Sequence, residues 1–345
     1  MSENLEPLVD AARGGDERAF RTLVEPLDRE LRAYAYRMLG GFTDADDVLQ
    51  DSRLKAWRAL ETYEPRASFR AWMYRIVTNT CLDTLKARAR RWMPQDVCSP
   101  VEPGPPTTAP RSDMLWLEPY PDALLPAAAG PEPEQAARRR EGIRLAFVRV
   151  VQVLPPRQRA ALILHDVLDW SVAEVAEILE TTEAAINSAL QRARGAIARP
   201  REESAAVASR HAEVAEKFAR AWESGDFDDF VKLLASDAVM SMPPWEYWLD
   251  GKDAVVTTML SPGTWDGAPR AGRYKIVPAW MNGEPGGLAY VLGADGRYHS
   301  VCLTVVSLDG DGRVGELTTF VLPDLFAAWG FPPVLEERLA PQGST

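Results

Sequence analysis

The stretch Thr43–Arg91, TDADDVLQDSRLKAWRALETYEPRASFRAWMYRIVTNTCLDTLKARARR, decides how the rest of this 345-residue chain is read. Its spacing predicts two helices joined by a short loop. Thr43, with Asp46 three residues on, is a T-x-x-D helix start. Asp44, Asp47 and Asp51 sit in the opening turns, where the positive end of a helix favours carboxylates. Ala45, Val48, Leu49, Ser52, Ala56 and Leu60 recur at helical spacing and predict a buried face, with Asp47, Gln50, Asp51 and Leu54 opposite. Glu64-Pro65 stops this helix, because the residue before proline is steered out of the α region. Ser68 caps the next one. There Phe69, Met73, Ile76 and Thr80 form one stripe, and Arg75, Asn79, Lys86 and Arg90 line another face. Between Tyr63 and Arg91 seven Lys/Arg face only Glu64 and Asp83. Such a basic face, carrying Trp72, Tyr74 and Asn79, suits a single DNA strand: cations track phosphates and a ring or cleft holds an unstacked base. A solvated amphipathic hairpin fits the same residues, and the pattern alone leaves both readings open.

The run D-A-D-D-V-L-Q-D through K-A-W, followed by F-R-A-W-M-Y-R-I-V-T-N-T-C-L-D-T-L-K, resembles domain 2 of the extracytoplasmic-function sigma factors of bacterial RNA polymerase. The resemblance implies that Asp47, Gln50, Asp51 and Leu54 touch the clamp helices of the β′ subunit. It also implies that Glu61 to Ser68 form a pocket for a flipped base. Tyr63, Arg66, Trp72, Arg75, Asn79, Lys86 and Arg90 would then hold the minus-ten promoter element.

The net charge of −11 argues against nucleic acid only until it is located. Residues 1–92 carry a net +1, 93–137 −6, 138–204 +2 and 205–345 −8, so the acidity lies in the middle segment and the last domain. A DNA-binding half is compatible with an acidic total. Cys81, Cys98 and Cys302 have neither C-x-x-C spacing nor an even pairing scheme, which fits a reducing compartment; no metal and no cofactor are expected. The first residues lack the basic-then-apolar pattern of a signal peptide, and no apolar run approaches the length of a membrane span, so a cytoplasmic protein is expected.

Leu5–Ala12 and Asp16–Leu39 read as helices split by Gly14-Gly15, completing an all-α domain over residues 1–93. Residues 94–133 read as a Pro-rich linker, yet Met114–Pro126, M-L-W-L-E-P-Y-P-D-A-L-L-P, is too apolar for a solvated tether. Its residues Trp116, Leu117, Pro119, Tyr120 and Asp122 are expected to dock on a folded domain. Residues 134–201 read as helices Glu134–Val153, Arg157–Leu168, a third opening on the Ser171/Glu174 capping box, and a fourth over Glu183–Ala198. The last pair makes a helix-turn-helix. Asn187, Ser188 and Gln191 face outward to read base edges, and Arg192, Arg194, Arg199 and Arg201 can bind phosphates. L-P-P-R-Q-R followed by A-I-N-S-A-L-Q-R-A-R resembles sigma domain 4, which implies that Thr182, Asn187, Ser188, Gln191, Arg192 and Arg194 contact the minus-thirty-five element and that the domain meets the β flap. Many relatives carry a basic side chain where Asn187 or Ala189 stands, so the resemblance does not carry over the base sequence read.

Residues 205–333 read as helices with a strand at Val239–Met242, followed by four extended stretches parted by glycine-rich turns, a small α+β cone, with a tail over 334–345. A-S-D-A-V-M-S-M-P-P and V-V-S-L-D-G-D-G-R-V-G-E-L resemble the SnoaL-like branch of the NTF2-like fold. Enzymes of that fold place a base in the cone. The candidates are His299, Asp237 and Asp250, with Trp245, Tyr247 and Trp248 as a lid over a possible pocket. A lone histidine among Val301, Leu303 and Val305 suits a structural role better, and no catalytic residue is assigned. The fold class expected is therefore multidomain: two all-α sigma domains and a SnoaL-like α+β cone. The whole resembles a sigma factor, with core polymerase and promoter DNA as partners, a C-terminal domain that contacts linker and sigma domains, and a monomer when free. The other readings are a ligand-sensing helix-turn-helix regulator, which leaves Asp44–Lys55 unexplained, and a SnoaL-like cyclase or isomerase.

Overall fold

The structure, a computed structural model, describes residues 5–64, 68–126, 141–197, 210–261 and 272–336. Arg66, Arg199, Arg201, the start of the helix expected at Glu134, residues 205–209 and most of the tail lie outside the described residues. The chain forms two compact units, Met1–Arg91 with Ala123–Pro200 and Trp92–Asp122 with Arg201–Thr345.

In the first unit, α1 (Glu6–Arg13), α2 (Glu17–Val24), α3 (Asp28–Leu39), α4 (Phe42–Ala59) and α5 (Phe69–Ala87) surround Leu31, Tyr34, Met38, Leu49, Met73 and Tyr74, all fully buried. The single helix expected over Asp16–Leu39 is interrupted: Pro26 has no N–H to give, and Glu25–Leu27 tightens into a 3-10 turn. Gly40, at φ 74°, ends α3 in the left-handed cap. The next helix starts earlier than its T-x-x-D pattern suggests. Gly41 is its N-cap, so Thr43 lies inside the helix and does not cap it. Asp44 is buried and accepts from Arg88 and Arg91, with Arg91 Nη2 at 2.7 Å. A Cβ at Gly41 would strike the Arg91 guanidinium, so only glycine admits this clasp between the start of α4 and the end of α5.

The same unit continues with α6 (Leu145–Val151), α7 (Pro156–Leu162), α8 (Val172–Ile178) and α9 (Glu183–Ala196). A π turn over Ile163–Val167 extends α7. The capping box forms as its spacing predicts: Ser171 N donates to Glu174 Oε2 at 2.8 Å and Glu174 N to Ser171 Oγ at 3.2 Å. Ile186, Leu190 and Ala193 are the inward face of α9. This module packs on the first through α5 against α7 and α8.

The second unit is built on a seven-stranded sheet in the order β2-β1-β6-β5-β4-β3, with β7 added on β5. Its strands are β1 (Leu234–Ser241), β2 (Trp248–Asp250), β3 (Tyr274–Met281), β4 (Glu284–Leu292), β5 (Tyr298–Leu308), β6 (Val314–Phe320) and β7 (Val334–Leu335). The β1–β6 pair is parallel and the other pairs are antiparallel. Two strands escape the sequence reading. β2 lies in the segment read as a lid, and β7 in the segment read as tail. Helices α10 (His211–Ser224), α11 (Asp228–Val231) and α12 (Lys252–Leu260) bring Val214, Phe218, Phe230, Val255 and Met259 onto a core with Met240, Leu249, Ile276, Val306 and Leu317. A short α13 (Asp324–Ala328) follows β6. Gly286 is required by close approach, since a Cβ there would collide with the Thr304 carbonyl of β5.

Candidate nucleic-acid and polymerase interface

On α4, Asp47, Gln50, Asp51 and Leu54 are all exposed, and Leu54 keeps 58% of its surface in water. Gln50 Nε2 donates to Asp46 Oδ2 at 3.1 Å, and Asp46 accepts from Arg32 Nε at 3.1 Å, so the carboxylate next to this face is already paired.

Along α5 the residues assigned to the minus-ten strand divide. Asn79 and Lys86 are exposed, Arg90 is half-buried, and Arg75 reaches Glu180 at 3.8 Å. Trp72 and Tyr63 correct the sequence reading. Trp72 is 4% exposed and Tyr63 5%, in a triangle with Phe69 whose ring centroids lie 5.4 to 5.5 Å apart. The reason is the helical repeat itself: Trp72 follows Phe69 by three residues, on the stripe that Phe69 and Met73 bury. Neither ring is presented to a base.

On α9, Asn187, Ser188, Gln191 and Arg192 project into solvent from one exposed face. Thr182 is the N-cap, its Oγ1 accepting from Ala185 N at 3.2 Å, which ties its hydroxyl to the helix start. Arg194 pairs with Asp166, Nε to Oδ2 at 2.9 Å, and this bond raises its pKa. Its guanidinium braces the helix-turn-helix in this conformation.

Sequence reasoning missed the polar contacts between the two helical modules. Arg159 of α7 is 3% exposed and donates to Gln152 Oε1 at 2.7 Å, to the carbonyls of Gln152 and Leu154 at 2.9 and 3.2 Å, and to the Met38 carbonyl. Gln152 Nε2 donates to the Arg37 carbonyl at 3.3 Å, and Arg37 Nε to the Gly142 carbonyl at 2.8 Å. The last carbonyls of α3 are thus capped from the second module. Burial pushes the Arg159 guanidinium down to about 10, with the Arg90 charge acting in the same direction. L-P-P-R-Q-R marks this arginine, but no local signal says that it is buried.

In the second unit, the four residues assigned to a possible pocket are not brought together. Trp245 Nε1 donates to the Thr108 carbonyl at 2.9 Å, Trp248 Nε1 to the Cys98 carbonyl at 2.9 Å, and the Tyr247 hydroxyl to the Gly104 carbonyl. These aromatics are the seat of the linker, not a lid. Val101 N bonds the Trp248 carbonyl, Arg111 N the Pro244 carbonyl, both at 2.9 Å, and Arg111 pairs with Glu246 at 2.8 Å. His299 stands on β5, which β1 and β6 separate from β2. It is 41% exposed at its side chain and bonded to Asp295 at 3.0 Å. That bond, with those from Arg297, holds the Asp295 carboxyl well below the usual carboxylate range. Asp237 and Asp250 are also exposed, so no base faces the packed interior from these positions.

The linker motif is held at the turn between β3 and β4. Asn282, with φ 57°, forms a two-way clasp with Tyr120: Asn282 N donates to the Tyr120 carbonyl at 2.9 Å and Tyr120 N to Asn282 Oδ1 at 2.8 Å. Gly283 N donates to Asp122 Oδ1 at 2.9 Å, and Pro121 bridges Met281. Trp116, Leu117 and Tyr120 are buried, and Trp116 Nε1 is spent on the Arg111 carbonyl at 2.9 Å. Pro119 lies within the same docked run.

Two helical modules, one ending in a helix-turn-helix with an exposed face on α9 and one with an exposed acidic face on α4, have the architecture of a transcription-initiation protein of the sigma type. Residues 23–91 match the family model "Sigma-70 region 2" and residues 144–197 match "Sigma-70, region 4". The chain is 36% identical over 350 residues to the ECF RNA polymerase sigma factor SigG of Mycobacterium tuberculosis (strain ATCC 25618 / H37Rv), covering 97% of this chain and 92% of that protein. It is 31% identical over 336 residues to SigJ of the same strain, covering 92% and 96%. The crystal structure of Mycobacterium tuberculosis SigJ matches with a TM-score of 0.58 at 28% identity, over 89% of this chain and 97% of that one. The chain belongs to the ECF RNA polymerase sigma factors, with two helical sigma modules and a C-terminal mixed-sheet domain; it is a sigma factor and not an enzyme. Among the described residues no helix is long and apolar enough to cross a membrane.

Proposed function

We propose that the chain binds core RNA polymerase in the cytoplasm and directs it to promoters. The α4 face of Asp47, Gln50, Asp51 and Leu54 docks on the β′ clamp helices. Arg75, Asn79, Lys86 and Arg90 follow the melted minus-ten strand. α9 reads the minus-thirty-five element through Asn187, Ser188 and Gln191, with Arg192 on phosphate. The observation that carries this reading is that the residues of both contact faces, on α4 and on α9, are exposed, while the apolar stripes of the same helices, Ala45, Val48, Leu49 and Ala56 on α4 and Ile186, Leu190 and Ala193 on α9, are buried. The test is run-off transcription with core polymerase and a promoter selected from genomic fragments. Transcripts that start at defined sites, and that require this chain, are expected. Failure to bind core, or initiation indistinguishable from core alone, overturns the proposal.

The C-terminal domain regulates the sigma modules through the linker that it grips. A connector with its carbonyls bonded to Trp245, Tyr247 and Trp248, and its Tyr120 clasped by Asn282, is not a free tether. Releasing it changes how domains 2 and 4 are joined. Tyr120→Ala and Trp116→Ala are therefore expected to alter promoter output in the run-off assay, and equal output from all three proteins would remove this part of the reading.

A further inference from the structure

Helix α1 carries none of the residues assigned to polymerase or to DNA, yet its last side chain reaches the turn that precedes α5. Beyond α4 the chain tightens into a 3-10 turn over Leu60–Thr62, where the closing carbonyls of a helix lack intrahelical partners. Arg13, the last residue of α1, supplies them: Nε donates to the Leu60 carbonyl at 3.4 Å and Nη2 donates to the Tyr63 carbonyl. Val9 and Ala12, both 2% exposed, seat α1, and Asp10 lies 3.6 Å from the Arg13 guanidinium. A guanidinium is a planar fork with fixed donor directions, so one side chain sets the placement of two carbonyls three residues apart.

The same turn is fixed a second time through its side chains. Leu60 and Tyr63 are buried, and the Tyr63 ring stands 5.4 Å from both Phe69 and Trp72 in the first turn of α5. Tyr63 N donates to the Leu60 carbonyl at 3.2 Å, and Thr62 Oγ1 to the Ala59 carbonyl at 2.6 Å. Glu61, Thr62 and Glu64 are left exposed from this fixed backbone. Two carboxylates beside a strand-following helix repel phosphates, and what they can accept from is the amino group of a base. A backbone held in advance presents such groups at a lower entropic cost than a free loop.

We propose that Arg13 is a positioning residue for strand selection: it holds the turn Leu60–Tyr63 so that Glu61 and Glu64 meet unstacked bases beside α5 in one geometry, without touching the strand itself. The proposal rests on the sigma-factor reading, in which Arg75 and Asn79 follow the melted strand, and brings α1 into it. Hydrogen bonds to base edges discriminate only when donor and acceptor are closely placed, whereas attraction to phosphates tolerates slack. Loosening the turn therefore costs selectivity more than affinity.

Fluorescence anisotropy with the full chain bound to core polymerase tests this. The probes are a labelled single strand of the selected minus-ten sequence and strands in which one adenine or cytosine at a time is replaced by thymine, which has no exocyclic amine. The ratio of matched to replaced affinity is expected to fall by about three- to tenfold in Arg13→Ala, with core binding unchanged. Arg13→Lys keeps the charge, but its ammonium cannot bridge two carbonyls as a fork does, and it is expected to fall between parent and alanine. Arg18→Ala removes an exposed cation from the neighbouring helix and should leave the ratio unchanged, which separates positioning from a general loss of positive charge. Hydrogen exchange over residues 60–64 should rise about tenfold in Arg13→Ala. An unchanged ratio in Arg13→Ala, or an equal loss on every strand as a merely structural role would give, overturns the proposal. Absence of core binding by the parent refutes the sigma-factor reading instead, and unchanged exchange in Arg13→Ala and Arg13→Lys then overturns the hold of Arg13 on the turn.

Discussion

Replacing Asn282 by alanine tests whether the linker is held at the β3–β4 turn. The side-chain oxygen of Asn282 accepts from Tyr120 N at 2.8 Å, and both residues are fully buried. Losing that oxygen leaves a buried N–H without this acceptor, a cost of about 1–3 kcal/mol. Alanine must also adopt the left-handed φ of 57°, which asparagine tolerates better, at about 1 kcal/mol. Together these lower linker docking by about 2–4 kcal/mol, or about 30- to 700-fold in the docked-to-free ratio. Asn282→Gly removes the oxygen but accepts the backbone geometry, so it keeps only the first cost. Hydrogen exchange read by mass spectrometry over residues 115–122 measures this local opening directly. Exchange should rise in the order parent, glycine variant, alanine variant, with the rest of the C-terminal domain protected. Equal exchange in all three proteins, or a glycine variant that opens more than the alanine one, refutes the reasoning.

Trp72→Ala removes the centre of the Tyr63–Phe69–Trp72 cluster and should destabilise the first unit by about 3–5 kcal/mol, seen as a lower denaturant midpoint and not as a selective loss of strand binding. Leu54→Asp, on a surface already in water, should leave the melting temperature within a degree or two of the parent yet abolish co-purification with core polymerase. Gln191→Ala should cost about 1–3 kcal/mol in binding to the selected minus-thirty-five duplex, read by anisotropy, with nonspecific duplex binding unaffected.

Helical periodicity made the element types of the two sigma modules legible, because their buried stripes are local patterns: Val48, Leu49 and Ala56 on α4, Ile186, Leu190 and Ala193 on α9. The glycine-rich turns likewise marked off β3 to β6. What stayed hidden was set by contacts between distant residues. Trp72 reads equally well as a presented ring or a core ring, and Phe69 and Tyr63 decide it by closing around it. Thr43 has the chemistry of a cap, but Gly41 takes that position because Arg91, far along the chain, needs the space a Cβ would fill. Trp245, Tyr247 and Trp248 look like a pocket lid because their partners are backbone carbonyls of the linker, and a carbonyl leaves no mark in the sequence.

The linker shows why its composition misleads. A proline-rich, acidic segment is ordinarily solvated, since it can bury too little apolar surface to offset the entropy of ordering it. Here the ordering is offset in another way. Prolines limit the freedom lost on docking, and the carbonyls of Cys98, Gly104 and Thr108 accept from the three aromatic side chains at or beside β2. Apolar contact is contributed by Trp116, Leu117 and Tyr120 near the Asn282 clasp, and by Met93 and Val101 further upstream. Grip is therefore spread along the linker, over polar bonds to carbonyls and apolar contacts at both Met93–Val101 and Trp116–Tyr120, so that no single contact carries it.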